Sequence, residues 1–161
     1  MPFKQYICSA SLIGLCGFTS LCSAVDHYTL QPVPFSGFLN DKGQIAGTQS
    51  VVGNNGNSNT HAVLWENGTV TDLGALGTDI NGYSQSSAVA INANGQVIGN
   101  STVYDQHGNA KGQHAFIWSK GIMTDLGALG TDTDGIGNSS AVALNASGQV
   151  VGNSIVYNSN G

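Results

Sequence analysis

The sequence predicts an all-β array of tandem four-stranded antiparallel units, and three observations carry that prediction. A spacing of 53 residues repeats almost letter for letter: HAVLWENGTVTDLGALGTD begins at His61 and HAFIWSKGIMTDLGALGTD at His114, and residues 61–108 match 114–161 at 30 of 48 positions. A period of this size marks a supersecondary unit that buries its apolar face by stacking on its own copies. Short runs rich in β-branched and aromatic residues are punctuated by Gly, Asn and Asp, and no segment keeps helical periodicity beyond a turn or two. Finally, Asn-x-x-Gly recurs where the chain must reverse, at Asn40–Gly43, Asn92–Gly95 and Asn145–Gly148.

Four strands per unit follow from these runs. In the best-defined copy they are Ser87–Ile91, Gln96–Asn100, His114–Trp118 and Ile122–Leu126. Asn at the first turn position and Gly at the fourth suit a type I turn closed by a Gly bulge, with Gly95 and Gly148 as the bulge residues. The same closure is expected at Trp65-Glu66-Asn67-Gly68 and Trp118-Ser119-Lys120-Gly121, giving two hairpins per unit. Along His114–Trp118, alternation places His114, Phe116 and Trp118 on one face and Ala115 and Ile117 on the other. Both faces are largely apolar, so the sheet is expected to be covered on both sides, with Trp118 buried between units. Ala88, Ala90, Ala141 and Ala143 suit the crowded inner position of a propeller-like stack. The units span about 35–74 and 86–127, with a partial one at 139–161, or about 2.5 blades. A β-solenoid is the alternative, and the Gly-closed hairpins argue against it.

Residues 1–24 are read as a signal peptide: Lys4, an apolar run over 7–22, and the small residues Cys22-Ser23-Ala24 before a polar stretch. The run is short and Ser/Gly-containing for a membrane span, so no stable span is expected after its removal. All three cysteines, Cys8, Cys16 and Cys22, lie in this leader. Residues 25–161 therefore have no disulfide or thiolate chemistry. They hold three lysines, no arginine and nine acids, a net charge of −6. That balance disfavours nucleic acid and anionic membranes as partners, since both require a basic footprint.

The composite pattern His-Ala-Val/Phe-Leu/Ile-Trp, Thr-Asp-Leu-Gly-Ala-Leu-Gly, Ser-Ala-Val-Ala-Ile/Leu-Asn and Gly-Gln-Val-Ile/Val-Gly resembles the HAF repeat of bacterial extracellular repeat proteins. The resemblance covers roughly residues 36–161 and implies an exported bacterial protein with a propeller-like fold. It brings no catalytic residues with it. The upstream copy departs from the pattern, with Phe35-Ser36-Gly37-Phe38 where Ser-Ala-Val-Ala is expected.

Repeated positions read as structural: His61 and His114 as strand-start residues bonding neighbouring backbone, Asp72 and Asp125 as acceptors of turn or inter-unit N–H groups, and Trp65 and Trp118 as packing residues. No Ser/His/Asp signature stands out in chain order, and no catalytic or cofactor-binding residue is assigned. Asp132-Thr133-Asp134-Gly135 with Asn138 has the alternating oxygens and Gly turn of a calcium loop, but lacks the downstream Glu of an EF-hand. Asp132, Asp134 and Asn138 are thus weak calcium candidates beside a plain Asx-turn reading. The expected function is a non-enzymatic secreted or surface interaction module for a glycan or protein, binding through variable loops around 49–60 and 101–113. A propeller-based carbohydrate- or polymer-degrading enzyme and part of an autotransporter passenger are the alternatives. Self-association through open strand edges is also expected.

Overall fold

The computed structural model describes residues 32–53 and 56–157, so the segment 1–24 read as a signal peptide lies outside the described residues. Those residues form ten strands and no helix: β1 (Gly37–Leu39), β2 (Ile45–Val52), β3 (Ser58–Glu66), β4 (Thr69–Asp72), β5 (Ser86–Ile91), β6 (Val97–Tyr104), β7 (Ala110–Ser119), β8 (Ile122–Asp125), β9 (Ser139–Leu144) and β10 (Val150–Ser154). They build two four-stranded sheets, β1-β2-β3-β4 and β5-β6-β7-β8, and a two-stranded sheet β9-β10. Every ladder within them is antiparallel. The architecture is all-β, in tandem antiparallel units that do not close into a ring.

The Asn-x-x-Gly turns set the first hairpin of each unit. Asn92 N–H donates to Gln96 O and its carbonyl accepts Gly95 N–H, both at 3.0 Å, the type I turn with a Gly bulge that the spacing implies. Gly95 takes φ 78°, a conformation costly for any residue with a Cβ. The Asn92 side chain completes the turn, with Oδ1 accepting the Asn94 and Gln96 N–H groups at 3.0 Å. Its Nδ2 then leaves the unit and donates to Asn145 O at 3.0 Å. Asn40 does the same one unit earlier, donating to Asn92 O at 2.9 Å. A ladder of asparagine amides therefore joins the three turns.

The second hairpin differs from expectation. Glu66 pairs with Thr69 and Ser119 with Ile122, leaving two-residue loops. Asn67 (φ 50°) and Gly68 (φ 87°), like Lys120 (φ 52°) and Gly121 (φ 86°), both lie in the left-handed region. This is the type I′ turn, whose twist matches that of the flanking strands, and not a bulge-closed type I turn.

Strand alternation produces the core. Val97 and Phe116 join Ala46, Ala62, Leu64 and Leu73 in a cluster bridging the first two sheets, with Trp118 and Met123 packed against it. On the opposite face Ile98 and Ala115 meet Ala141 of the third sheet, flanked by Ile117, Leu144 and Val150. The middle sheet is thus apolar on both faces because each face meets a neighbour. Trp65 is buried, whereas Trp118 is only half-buried. Ala141 is buried but Ala143 is exposed on the outer side of the third sheet, so only part of the small-residue expectation holds.

The atypical first unit has a packing explanation. In the middle sheet Gly99 lies opposite Phe116, and a Cβ at Gly99 would collide with the Phe116 ring. In the first sheet Gly47 lies opposite Val63, which is too short to fill that space. Phe35 takes the place of the missing ring, standing so close to Gly47 that a Cβ there would collide with it. The divergent segment supplies from outside the sheet the aromatic that the strand lacks.

Candidate functional site

The segments read as variable loops are mostly paired strand. Residues 49–52 pair with 58–61, and Thr102 and Tyr104 pair with Gln113 and Ala110, so each region is a hairpin arm with a short tip. At the second tip Asp105 accepts the His107 and Asn109 N–H groups at 2.8 and 2.9 Å. These bonds, the Asn109 backbone above all, hold its carboxyl down at about 2. Beside it, burial raises the Tyr104 hydroxyl above its ordinary value, helped by the charge of Asp79.

Between the first arm and the loop that follows β4 lies a constellation that chain order does not reveal. His61 projects from β3, and Asp72 ends β4 beside it. His61 Nδ1 donates to the Asp72 carboxylate, 2.9 Å from Oδ1 and 2.8 Å from Oδ2. Asp72 is fixed in turn by the Gly74 N–H, 2.8 Å from Oδ1. Because a carboxylate only accepts, Nδ1 carries the proton in the neutral ring and Nε2 is left as an acceptor. Ser84 Oγ lies 2.8 Å from Nε2 and donates to it. The loop that delivers Ser84 is an Asx turn, with Asp79 Oδ1 accepting Asn81 and Tyr83 N–H at 2.8 and 2.7 Å. Ser84 N–H donates to Asn59 Oδ1 at 3.3 Å. His61, Asp72, Ser84 and Asn59 line one open cleft of about 420 Å³, together with Val51 and Val52.

The second unit keeps only half of this arrangement. His114 Nδ1 meets Asp125 at 3.0 and 2.9 Å, and Gly127 N–H caps Asp125 at 2.7 Å. Gly137 stands where the first unit has Ser84. The recurring histidines therefore bond a carboxylate rather than the expected backbone group, while the aspartates do accept the expected turn N–H. Sequence reasoning misses Ser84 because it lies outside the repeated motif. The signal that would find it is a nucleophile present in one copy and absent from the other.

The calcium candidates are placed as turn and cap residues. Asp132 Oδ1 accepts Asp134 and Ile136 N–H at 2.9 and 2.8 Å. Asn138 Oδ1 accepts Gln113 N–H and its Nδ2 donates to Tyr157. Among the described residues no group of three or more His, Cys, Asp or Glu side chains gathers as a metal site.

A second open surface lies between the middle and third sheets. There a groove of about 530 Å³ is lined by Ala115, Ile117, Leu126, Leu129, Val150 and Gly152. At the preceding junction the counterparts Ala62, Leu64 and Leu73 are buried in the cluster that holds Phe116. Here Leu126 is 45% and Leu129 80% exposed. No helix among the described residues is long and apolar enough to cross a membrane. No family model, curated protein or solved structure matches the chain.

Proposed function

We propose that this chain is an exported or cell-surface interaction module that binds by adding strands of its own repeat type to its third sheet. The observation that supports it is the apolar groove beside β10, lined by the same positions that the first junction buries under Phe116. The occupant is the third-and-fourth-strand hairpin of another repeat, with the Phe-x-Trp alternation of residues 116–118. Its argument is continuity: β6 pairs with β7 through Gly99↔Phe116 and Val97↔Trp118, and Gly152 and Val150 are the matching positions on β10. Main-chain bonds along an open edge supply affinity and the two aromatics supply specificity. The leader and the HAF-like motifs support the exported setting.

The test is titration of the protein with a peptide of sequence 110–126, followed by calorimetry. Saturable binding lost when the peptide's Phe and Trp are both replaced by Ser is the expected result. No heat with either peptide, or equal heat with both, would remove the reading.

A further inference from the structure

We propose that Ser84, His61 and Asp72 form a nucleophilic centre that cleaves small neutral carboxylic esters. The hydrogen bonds run in the required order, carboxylate to Nδ1–H and Nε2 to Oγ–H, at 2.8 Å on both sides of the ring. A latch between strands needs only the His–Asp pair, as His114 and Asp125 show with Gly137 in place of a serine. The serine in the first unit is thus additional to the repeat's structural requirement.

Asn59 supplies the remaining element. Its Oδ1 is taken by Ser84 N–H, and its Nδ2 donates to nothing among the described residues. Asn59 is 4% exposed and lines the cleft, where this nitrogen is its remaining donor. It sits on the residue hydrogen-bonded to Ser84 and is the donor for a developing oxyanion. Val51 and Val52 give the cleft an aliphatic lip, and no cationic side chain lines it. Both features favour a short, uncharged acyl group.

The chemistry balances without a cofactor. As Oγ attacks the ester carbonyl, its proton passes to His61 Nε2, and the carbonyl electrons move to an oxyanion held by Asn59 Nδ2. Collapse breaks the bond to the alcohol oxygen, which leaves with the Nε2 proton, and the acyl group stays on Oγ. Water then gives a proton to Nε2 and attacks the acyl carbon, and Oγ departs as it recovers that proton. Asp72 is a positioning residue, fixing the tautomer and balancing the imidazolium charge. Its side chain is 45% exposed, so it orients His61 through the paired contact and the Gly74 cap rather than through a desolvated field.

The test treats the full chain with a fluorophosphonate and maps the adduct by peptide mass spectrometry, alongside hydrolysis of p-nitrophenyl acetate. One adduct on Ser84 is expected. Ser84→Ala should lower the hydrolysis rate by about 10²-fold or more. Asp72→Asn should lower kcat with little change in KM and Asp72→Glu should recover part of the loss, whereas Asp125→Asn should leave both constants unchanged. An unlabelled Ser84 at a reagent concentration that saturates a known serine esterase would overturn the proposal. So would an unchanged rate in folded Ser84→Ala, and should that variant not fold, the adduct map on the native chain decides alone.

Discussion

Phe116→Ala probes the contact on which the stacking of units depends. The ring is fully buried, lies across from Gly99 and belongs to the cluster joining the first two sheets. Truncation removes about 100 Å³ of side chain, and at about 24 cal/mol per Å³ the cavity alone would cost about 2.4 kcal/mol if nothing relaxed. With the lost transfer energy, the total falls in the range of about 3–5 kcal/mol for a buried Phe. Gly99 cannot refill the space, having no side chain of its own. A domain of this size is held by roughly 5–15 kcal/mol in all, so the variant should melt far earlier. Urea denaturation followed by fluorescence of Trp65 and Trp118 reports the change, with exposed Val142→Ala as a control expected to shift by less than about 0.5 kcal/mol. A Phe116→Ala loss below about 1 kcal/mol would mean that the sheets are not packed through this ring, and the stacking account would fail with it.

Three further outcomes are expected. Val63→Phe should destabilise by about 1–3 kcal/mol through overpacking against Phe35, and Phe35→Ala in the same chain should recover part of that loss, as a double-mutant denaturation cycle would show. Lys120→Asn should stabilise by up to about 1 kcal/mol in thermal melts, because Lys120 holds φ 52° and Asn tolerates that region, as Asn67 does in the first unit. The tip of the second arm should keep its hydrogen bonds as pH falls below the ordinary carboxylate range: Asp105 titrates at about 2, so its contribution is complete above the unfolded value of about 3.9 and is lost as pH drops through about 2. His107 and Asn109 amide shifts that move near pH 4 instead would refute the Asp105 cap, since about 4 is the ordinary Asp value.

The hairpins are legible in the sequence because their determinants are local. Asn92 and Gly95 fix a turn from four adjacent residues, and alternation in 114–118 assigns Phe116 and Ala115 to opposite faces, as the two clusters confirm. The type I′ turns escape such reading because Asn-Gly and Lys-Gly suit more than one closure, and the cross-strand register, a non-local property, selects between them. The arms read as loops because polar residues and Gly interrupt Ser101–Tyr104 and Ala110–Gln113, and their pairing depends on a partner strand rather than on apolar pattern. Ser84 meets His61 from 23 residues away, through an Asx turn that only the folded chain places. Phe35 is harder still, since its role is defined by an absent side chain at Gly47 and a short one at Val63.

The asparagine ladder has a consequence for how such a chain can change over evolutionary time. The second and third turns of the ladder each receive a donor from the unit before, Asn92 from Asn40 and Asn145 from Asn92. Gln44 lies over Gly95 as Gln96 lies over Gly148, so the two junctions are chemically interchangeable. Duplication of one 53-residue block would insert a piece whose leading and trailing surfaces already fit both neighbours. Array length can then drift by whole repeats with no compensating substitution. The spacing of 52 residues at the first junction against 53 at the second shows that the arms between hairpins absorb a single-residue change without breaking the ladder.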